Sequence, residues 1–178
     1  VLELGCGVGV VGIALSGLAT KVYLTDRDVE ALKLCKENTD MNTSEDGVIQ
    51  IRSLDWTIRD GSFADMLNIQ QMETSRTERQ NDAFPWWQTD LEWLCSVGVF
   101  VAADVVYDHA LTSAFFETLK ELMCLSQKDS VCYVALEKRF NFTLADLAVR
   151  APAYEHFLSF IAVEGCETDR SEKLFIGR

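Results

Sequence analysis

Short apolar runs alternate with amphipathic segments along most of the chain. Lys21–Asp26, Val97–Ala103 and Val131–Leu136 have the length and the largely apolar content of strands that are buried in a parallel sheet. Between them, residues 29–38 and 111–122 carry apolar side chains three or four positions apart, which indicates one buried face on each of two helices. Strands that alternate with helices predict an α/β fold, in which right-handed crossovers join the strands of a parallel sheet.

The same pattern predicts five further elements with weaker periodicity. They are a strand at Val1–Leu4, a helix at Val10–Leu18, a strand at Val48–Leu54, a helix at Tyr154–Val163 and a strand at Leu174–Ile176. Residues 68–90 include the polar stretch Gln70–Asp82, which has no period, so they predict an exposed insertion. The aromatic residues from Phe84 to Trp93 either anchor this insertion to the core or bind a partner, and anchoring is the favoured interpretation. Residues 1–178 are expected to form a single domain.

Glycines at alternate positions follow the first predicted strand, at Gly5, Gly7 and Gly9. Glycine permits the backbone angles of a tight turn and lets a ligand approach the main chain closely. The helix that follows presents unpaired N–H groups to that ligand, so we predict an adenosine-containing molecule here. Because Gly7-x-Gly9-x-x-Gly12 also fits the dinucleotide fingerprint, an NAD-dependent oxidoreductase is an alternative.

Glu3 bears on the choice between these ligands, because it is an acid at the end of a strand that should otherwise be apolar. A carboxylate there would repel a pyrophosphate, whereas it suits the sulfonium and ammonium groups of S-adenosyl-L-methionine. At the next strand end, Asp26 has the spacing expected for binding ribose hydroxyls, although it or Asp28 could instead cap the following helix. Asp55 and Trp56 end the third strand and could bind adenine, but Trp56 could equally belong to the core.

Charge and cysteine usage narrow the classes of protein. The chain of 178 residues has a formal net charge of -12, which argues against direct binding of nucleic-acid phosphates and favours basic partners. Six cysteines without a CxxC pair indicate reduced thiols, so we expect a location in the nucleus or the cytoplasm. No apolar run has the length of a membrane span, and no membrane partner is expected.

Four motifs together resemble the seven-strand class I methyltransferases of family 16, which act on protein lysines. They are Glu3-Leu4-Gly5-Cys6-Gly7-Val8-Gly9, Thr25-Asp26, Leu54-Asp55-Trp56 and Asp104-Val105-Val106-Tyr107, and the stretch Glu137–Leu144 adds to the likeness. The fourth motif is the most specific, since this family carries an acid, two further residues and an aromatic after its fourth strand. The resemblance implies a Rossmann-like sheet with helices on both faces and S-adenosyl-L-methionine as the cofactor.

The resemblance also assigns roles within these motifs. It implies that Glu3 and the glycine turn hold the methionine part of the cofactor, while later strand ends hold the ribose and the adenine. The expected cofactor-binding residues are Glu3, Gly5, Cys6, Gly7, Gly9, Asp26, Asp55, Trp56 and Ala103. The expected catalytic residues are Asp104 and Tyr107, which would line the channel for the target lysine.

Methyl transfer from a sulfonium needs a neutral amine that is held in line with the methyl group. Asp104 can bind the incoming ammonium and orient it or accept its proton, and Tyr107 offers an aromatic face to a cation. The alternative is that Asp104 caps the next helix and that Tyr107 is a core residue. Base methyltransferases carry two prolines where this chain has Val105 and Val106, so nucleic acid is not expected as the methyl acceptor.

The chain departs from this family at both ends. The family has a strand hairpin before the glycine motif and an antiparallel strand pair at the end, and neither pattern is visible in this sequence. We therefore expect a domain that is truncated at both ends, with an open sheet edge that favours aggregation. The expected partner is a protein with an accessible and basic lysine segment, and the resemblance adds a chaperone association. A non-catalytic interaction module with the same fold is a third alternative.

Overall fold

Five parallel strands form the main sheet in the part of the chain that the structure describes. The computed structural model describes residues 1–43, 47–58, 83–126, 129–143, 148–163 and 175–177. The strands are β1 (Leu2–Leu4), β2 (Val22–Asp26), β3 (Ile49–Ser53), β4 (Val99–Ala103) and β5 (Val131–Ala135). Their order is β3-β2-β1-β4-β5, and all neighbours are parallel. The predicted α/β Rossmann-like fold is confirmed.

Helices cover both faces of this sheet. They are α1 (Val10–Leu15), α2 (Val29–Asn42), α3 (Gln88–Leu94), α4 (His109–Leu125) and α5 (Pro152–Ser159). Successive residues of β2 point to opposite faces. Val22 and Leu24 pack with Leu32 and Cys35 of α2, whereas Tyr23 belongs to a second core that includes residues of α3, α4 and α5. No helix in the described ranges is long and apolar enough to cross a membrane.

The end of the chain differs from the prediction. The helix predicted at Tyr154–Val163 is wrong in its second half, because α5 ends at Ser159 and Ile161–Val163 forms β8. β8 pairs with β9 (Phe175–Gly177) in parallel, so a terminal strand pair exists, although it is not antiparallel. β9 confirms the strand predicted at Leu174–Ile176 to within one residue. The sequence pattern does not reveal the strand at Ile161–Val163, because the segment that pairs with it lies further along the chain and local periodicity does not detect such a partner.

Two smaller differences concern short elements. The helix predicted at Val10–Leu18 ends already at Leu15 as α1. An antiparallel hairpin, β6 (Asn141–Thr143) with β7 (Ala148–Arg150), was not predicted. Both β6 and β7 are three residues long, which is too short to produce a recognisable alternation in the sequence.

Aromatic residues anchor the last part of the predicted insertion and the chain just after it. Residues 68–82 of that insertion lie outside the described part, but residues 83–90 are described, and Trp86 is buried among them. Trp86 and Trp93 both stack on Tyr23, with ring centroids 6.0 Å and 4.1 Å from it. The indole N–H of Trp86 also donates to the carbonyl of Ser53 at 2.7 Å. The anchoring interpretation is therefore confirmed, and the exposed segment does not extend to residue 90.

A buried ion pair fixes α3 to the sheet. The Asp90 carboxylate accepts hydrogen bonds from Arg52 Nε at 2.6 Å and from the Tyr23 hydroxyl at 2.6 Å. It also accepts from the backbone N–H of Trp87 at 2.8 Å, at the start of the helix. Burial alone would raise the pKa of Asp90, but the hydrogen bonds from Arg52, Tyr23 and Trp87 outweigh it and hold the pKa below its usual value.

The sheet order creates a crevice beside β1. Since β2 and β4 lie on opposite sides of β1, the connections that leave these strands diverge at their carboxyl ends. Open α/β sheets bind ligands at such a point. The residues that follow β1, β2, β3 and β4 are therefore brought to one edge of the sheet.

Candidate functional site

All the predicted cofactor residues lie at or next to this carboxyl edge. The backbone places Glu3 within β1, the glycine turn directly after it, and Asp26 at the last position of β2. Ala103 is the last residue of β4, and Asp55 and Trp56 lie just beyond the end of β3. The predicted residues thus belong to neighbouring strand ends, as their positions after each strand implied.

The glycine turn has left-handed backbone angles at three positions. Gly5, Gly7 and Gly9 have φ values of 72°, 52° and 88°, which residues with a Cβ adopt only at a cost. The turn is bound to β2, because the N–H groups of Gly5 and Cys6 both donate to the carbonyl of Thr25 at 2.9 Å. The conformation explains why glycine stands at alternate positions in the motif.

The space around these glycines differs from one position to the next. A Cβ on Gly5 would lie 2.8 Å from Val105 and 3.2 Å from Trp56, so this glycine permits close packing. A Cβ on Gly12 would collide with Leu24 and would lie 2.7 Å from Glu3 Oε2. A Cβ on Gly7 would meet nothing within 4 Å. Gly7 therefore leaves open space against the main chain, as a bound ligand requires.

Glu3 is a buried carboxylate with an unsatisfied oxygen. Glu3 is 2% exposed, and its Oε2 atom has no hydrogen-bond partner in the described part of the chain. The pKa of Glu3 is raised to about 7, chiefly by burial. A hydrogen bond with the backbone of Gly12 lowers the pKa in part, and the negative charge of Asp26 raises it further. A buried acid without a partner is costly. A cationic ligand at the glycine turn would satisfy it, so the donor set suits S-adenosyl-L-methionine.

Asp26 and Asp28 have separate roles at the end of β2. Asp28 is the N-cap of α2, and its side chain accepts from the N–H groups of Glu30 and Ala31. Asp26 accepts from the N–H of Gly7 at 2.9 Å and from the N–H of Asp28 at 3.0 Å. Asp26 is therefore not the helix cap, and its carboxylate faces the glycine turn.

Asp55 and Trp56 follow β3 in different environments. Asp55 Oδ1 accepts from the backbone N–H and from the hydroxyl of Thr57, at 2.8 Å and 2.6 Å, which forms a local turn. The ring of Trp56 is buried and makes an edge contact with Phe115, with the ring centroids 5.3 Å apart. The core alternative therefore holds for this ring. Its indole N–H has no partner in the described residues, so it remains able to donate to a ligand.

Asp104 and Tyr107 project from the segment after β4. Among the described residues other than glycine, Asp104 is the one with a positive φ, and its value of 52° lies in the left-handed region. Tyr107 is 52% exposed, so it is not a core residue. The cap of α4 is Asp108, whose carboxylate accepts from the N–H of Leu111 at 2.8 Å. The alternative, in which Asp104 caps the helix and Tyr107 is a core residue, is therefore wrong.

Arg139 contacts both predicted catalytic residues and was not predicted as a site residue. Its Nη2 donates to both carboxylate oxygens of Asp104 at 2.7 Å. Its guanidinium carbon lies 4.9 Å from the centroid of the Tyr107 ring, within the range of a cation–π contact. The acid–aromatic pair therefore binds a cation in this structure. The sequence signal was the charged run Glu137-Lys138-Arg139 after the fifth strand, but its partner could not be inferred from it.

Residues of α2 also support the glycine turn without belonging to any motif. Asn38 donates to the carbonyl of Val8 at 3.0 Å. A hydrogen bond with Cys35 and then burial raise the pKa of the Cys6 thiol well above its usual range, so Cys6 is a neutral packing group. No pattern in the sequence marks these contacts, because the partners lie about thirty residues apart.

Comparison with known proteins gives a consistent result. Residues 1–74 match the family described as lysine methyltransferase. The whole chain is 33% identical over 183 aligned residues to methyltransferase-like protein 22 of Mus musculus and covers 41% of that protein. The relative of the same name from Homo sapiens is 32% identical over 89% of the chain, which covers 37% of it. The chain thus spans about two fifths of the length of these relatives.

Two further matches are more distant. EEF1A lysine methyltransferase 3 of Xenopus tropicalis is 28% identical over 67% of the chain, which covers 52% of that protein. A crystal structure of magnesium protoporphyrin IX methyltransferase from Synechocystis PCC 6803 with bound SAH has a TM-score of 0.42 and 13% identity, over 71% of this chain and 42% of that one. The fold assignment rests on the strand order and not on this likeness. The predicted resemblance to the lysine methyltransferases is confirmed.

Proposed function

We infer that this chain belongs to the lysine methyltransferase family, and that it methylates the side-chain amine of a lysine in a protein substrate with S-adenosyl-L-methionine as the donor. The family match and the 33% identity to a methyltransferase-like protein over the whole of this chain support methyl transfer. The observation that carries the lysine assignment is the acid–aromatic pair Asp104 and Tyr107, which already holds the guanidinium of Arg139. A site that binds one alkyl cation is suited to another.

The cofactor end of the crevice has the groups that this donor needs. Glu3 offers a buried carboxylate oxygen without a partner, and Gly7 leaves open space beside the main chain. Asp26, which already orders the turn through the N–H of Gly7, would bind the ribose hydroxyls. When bound, S-adenosyl-L-methionine supplies an electrophilic methyl group on a positively charged sulfur.

The acceptor end of the crevice has to position an amine and remove its charge. Asp104 would bind the ammonium form of the lysine and orient it, and it could accept the proton that the amine must lose. Tyr107 would hold the amine against its ring face. Val105 and Val106 between them are buried, so this segment is a firm support for both side chains. Positioning is thus the main contribution of these residues.

The substrate is proposed to be a protein with a basic, accessible lysine segment. The net charge of -12 supports a basic partner, since opposite charges accelerate and favour association. An association with a chaperone and a location in the nucleus or cytoplasm remain predictions from the resemblance and from cysteine usage.

Methyl transfer by the full-length protein tests this function. Purified protein and radiolabelled S-adenosyl-L-methionine are added to an extract from cells that lack the protein, and labelled lysines are identified by mass spectrometry. We expect Asp104→Asn to lower the rate by roughly a hundredfold or more, as for loss of an acid–base group. Asparagine tolerates the left-handed φ of residue 104, whereas alanine would add backbone strain.

Asp108→Asn is the matched control, because it is the same change four residues away. Asparagine caps helices as well as aspartate does, so this variant should keep both its fold and its activity. Equal activity of the Asp104→Asn variant and the parent would contradict the assignment of Asp104. Cofactor binding without any labelled protein would favour the non-catalytic module, and thermal stabilisation by NAD alone would favour an oxidoreductase.

A further inference from the structure

Arg139 lies at the position that the proposed function assigns to the substrate ammonium. It donates to both oxygens of Asp104 at 2.7 Å, and it lies over the ring of Tyr107. An incoming lysine needs the same two partners. The two cations therefore compete for these contacts, because the guanidinium already engages both carboxylate oxygens of Asp104 and one face of the Tyr107 ring.

The position of Arg139 follows from the sheet. β5 ends at Ala135, which is paired with Ala103, and the N–H of Asp104 donates to the carbonyl of Ala135 at 2.8 Å. The chain that leaves β5 therefore passes beside Asp104. Arg139 lies four residues beyond the end of β5, outside any regular element, so its side chain can leave Asp104 without disturbing the pairing of β4 and β5.

A comparison of two ion pairs indicates that this contact is replaceable. The side chains of Arg52 and Asp90 are 11% and 3% exposed, and their pair is part of the core. The side chains of Arg139 and Asp104 are 43% and 54% exposed. Solvent-exposed pairs are weak, because water competes for both charges, whereas breaking a buried pair leaves an uncompensated charge. A substrate cation can therefore displace Arg139 at little cost.

We propose that Arg139 occupies the Asp104–Tyr107 cation site as a competing cation until a substrate lysine displaces it. This inference rests on the proposed function of that site. A small free cation gains little by the exchange, since it only replaces one ion pair with another. A lysine carried by a docked protein brings additional contacts, which favour its entry over that of isolated amines.

The first experiment measures cation binding without methyl transfer. n-Butylammonium chloride, which resembles the lysine side chain, is titrated into the full-length protein, and the NMR signals of Asp104 and Tyr107 are followed against sodium chloride at equal ionic strength. For Arg139→Gln we expect the apparent Kd to fall by about two- to fivefold, the range set by the strength of an exposed ion pair. Arg139→Lys should behave like the parent, because it restores a competing cation.

Arg150→Gln is the matched control, since Arg150 forms a similarly exposed pair with Glu155 at 2.7 Å. It makes the same change in net charge and should leave the Kd unaltered. An unaltered or weaker affinity in Arg139→Gln would overturn the proposal, and so would an equal gain in both variants, which would indicate a general charge effect.

The second experiment separates this inference from the proposed function. In the methyl-transfer assay, Arg139→Gln should lower the KM for the protein substrate by a similar factor with kcat retained. A lower kcat with an unchanged butylammonium Kd would mean that Arg139 positions Asp104, which would contradict the proposal while the function stands. If no variant transfers methyl groups but the butylammonium result is as expected, the function fails and the competition of Arg139 for the site stands.

Discussion

At the scale of single residues, the site is defined by acids in contrasting environments. Glu3 is buried with an oxygen that has no partner in the described part, whereas Asp104 is half-exposed and already holds a cation. A buried carboxylate gains most from a permanent ligand, and an exposed one can exchange ligands. The cofactor end and the acceptor end of the crevice therefore differ in how tightly each is expected to hold its cation.

Cofactor affinity should depend on pH through Glu3. Its pKa is raised to about 7, and a cationic donor binds its ionised form, so the affinity should rise as the pH increases through about 7 and then level off. Titration calorimetry from about pH 6 to about pH 8 checks this. Glu3→Gln should remove this component of the pH dependence. A parent and a variant with identical profiles would show that Glu3 does not face the cation.

The raised pKa of Glu3 has the opposite effect on the stability of the ligand-free chain, which should fall as the pH increases. Because the folded pKa lies above the unfolded value of about 4.3, the stability linked to Glu3 is complete below that value and is lost as the pH rises through about 7. Chemical denaturation at several pH values should show this loss in the parent and not in Glu3→Gln.

Gly7 should matter for binding more than for stability. A Cβ at Gly7 would enter open space, so Gly7→Ala should cost only about 1 to 2 kcal/mol for its left-handed φ, while obstructing the ligand. Gly47→Ala is the matched control, with a φ of 88° and equally open surroundings in the turn before β3. Denaturation and calorimetry on both variants should give similar losses of stability, but a loss of cofactor binding only for Gly7→Ala.

At the scale of elements, a buried charge attaches α3 to the sheet. Asp90 binds Arg52 and Tyr23 and also caps its own helix through the N–H of Trp87. The helix has seven residues, too few for stability on its own. Its place in the fold is therefore decided by this network and by the stacked aromatic rings rather than by helix propensity.

Removing Asp90 should destabilise the protein strongly. Asp90→Ala leaves Arg52 buried without its partner, so we expect a loss of about 3 kcal/mol or more in the free energy of unfolding. Asp40→Ala removes an exposed pair with Lys36 on α2 and should cost no more than about 0.5 kcal/mol. Because the pKa of Asp90 is lowered, its contribution is present above the unfolded pKa and is lost as the pH falls. Similar losses in both variants would contradict this role.

At the scale of the whole molecule, β5 forms one edge of the main sheet in the described ranges. Its burial alternates, and Val131 and Tyr133 are exposed at 43% and 63%. An edge strand with apolar exposed side chains is a template for association with another chain. Among the described strands, β5 has a neighbour on one side only, at β4.

Self-association of the chain should depend on this exposed face. Tyr133→Lys places a charge on the edge strand and should shift sedimentation profiles towards the monomer. Leu18→Lys is the control, because Leu18 is also exposed, at 87%, but lies after α1. An equal effect of both substitutions would indicate a general gain in solubility and not association through β5.

Local patterns determined the order of the elements and the edge at which the site lies. Apolar runs of strand length and helical periodicity are short-range properties, and parallel strands necessarily bring their carboxyl ends to one edge. The positions of Glu3, Asp26 and Asp104 relative to that edge could therefore be predicted from the sequence alone.

Only the tertiary structure decided which side chains meet. Arg139 and Asp104 are 35 residues apart, Arg52 and Asp90 are 38 apart, and the strand pairing of β8 also depends on a distant segment. No periodic pattern encodes such contacts, because each depends on how loops leave the sheet and on which partner satisfies a charge. The sequence thus predicted a cation site at Asp104, and the fold places the guanidinium of Arg139 against that carboxylate.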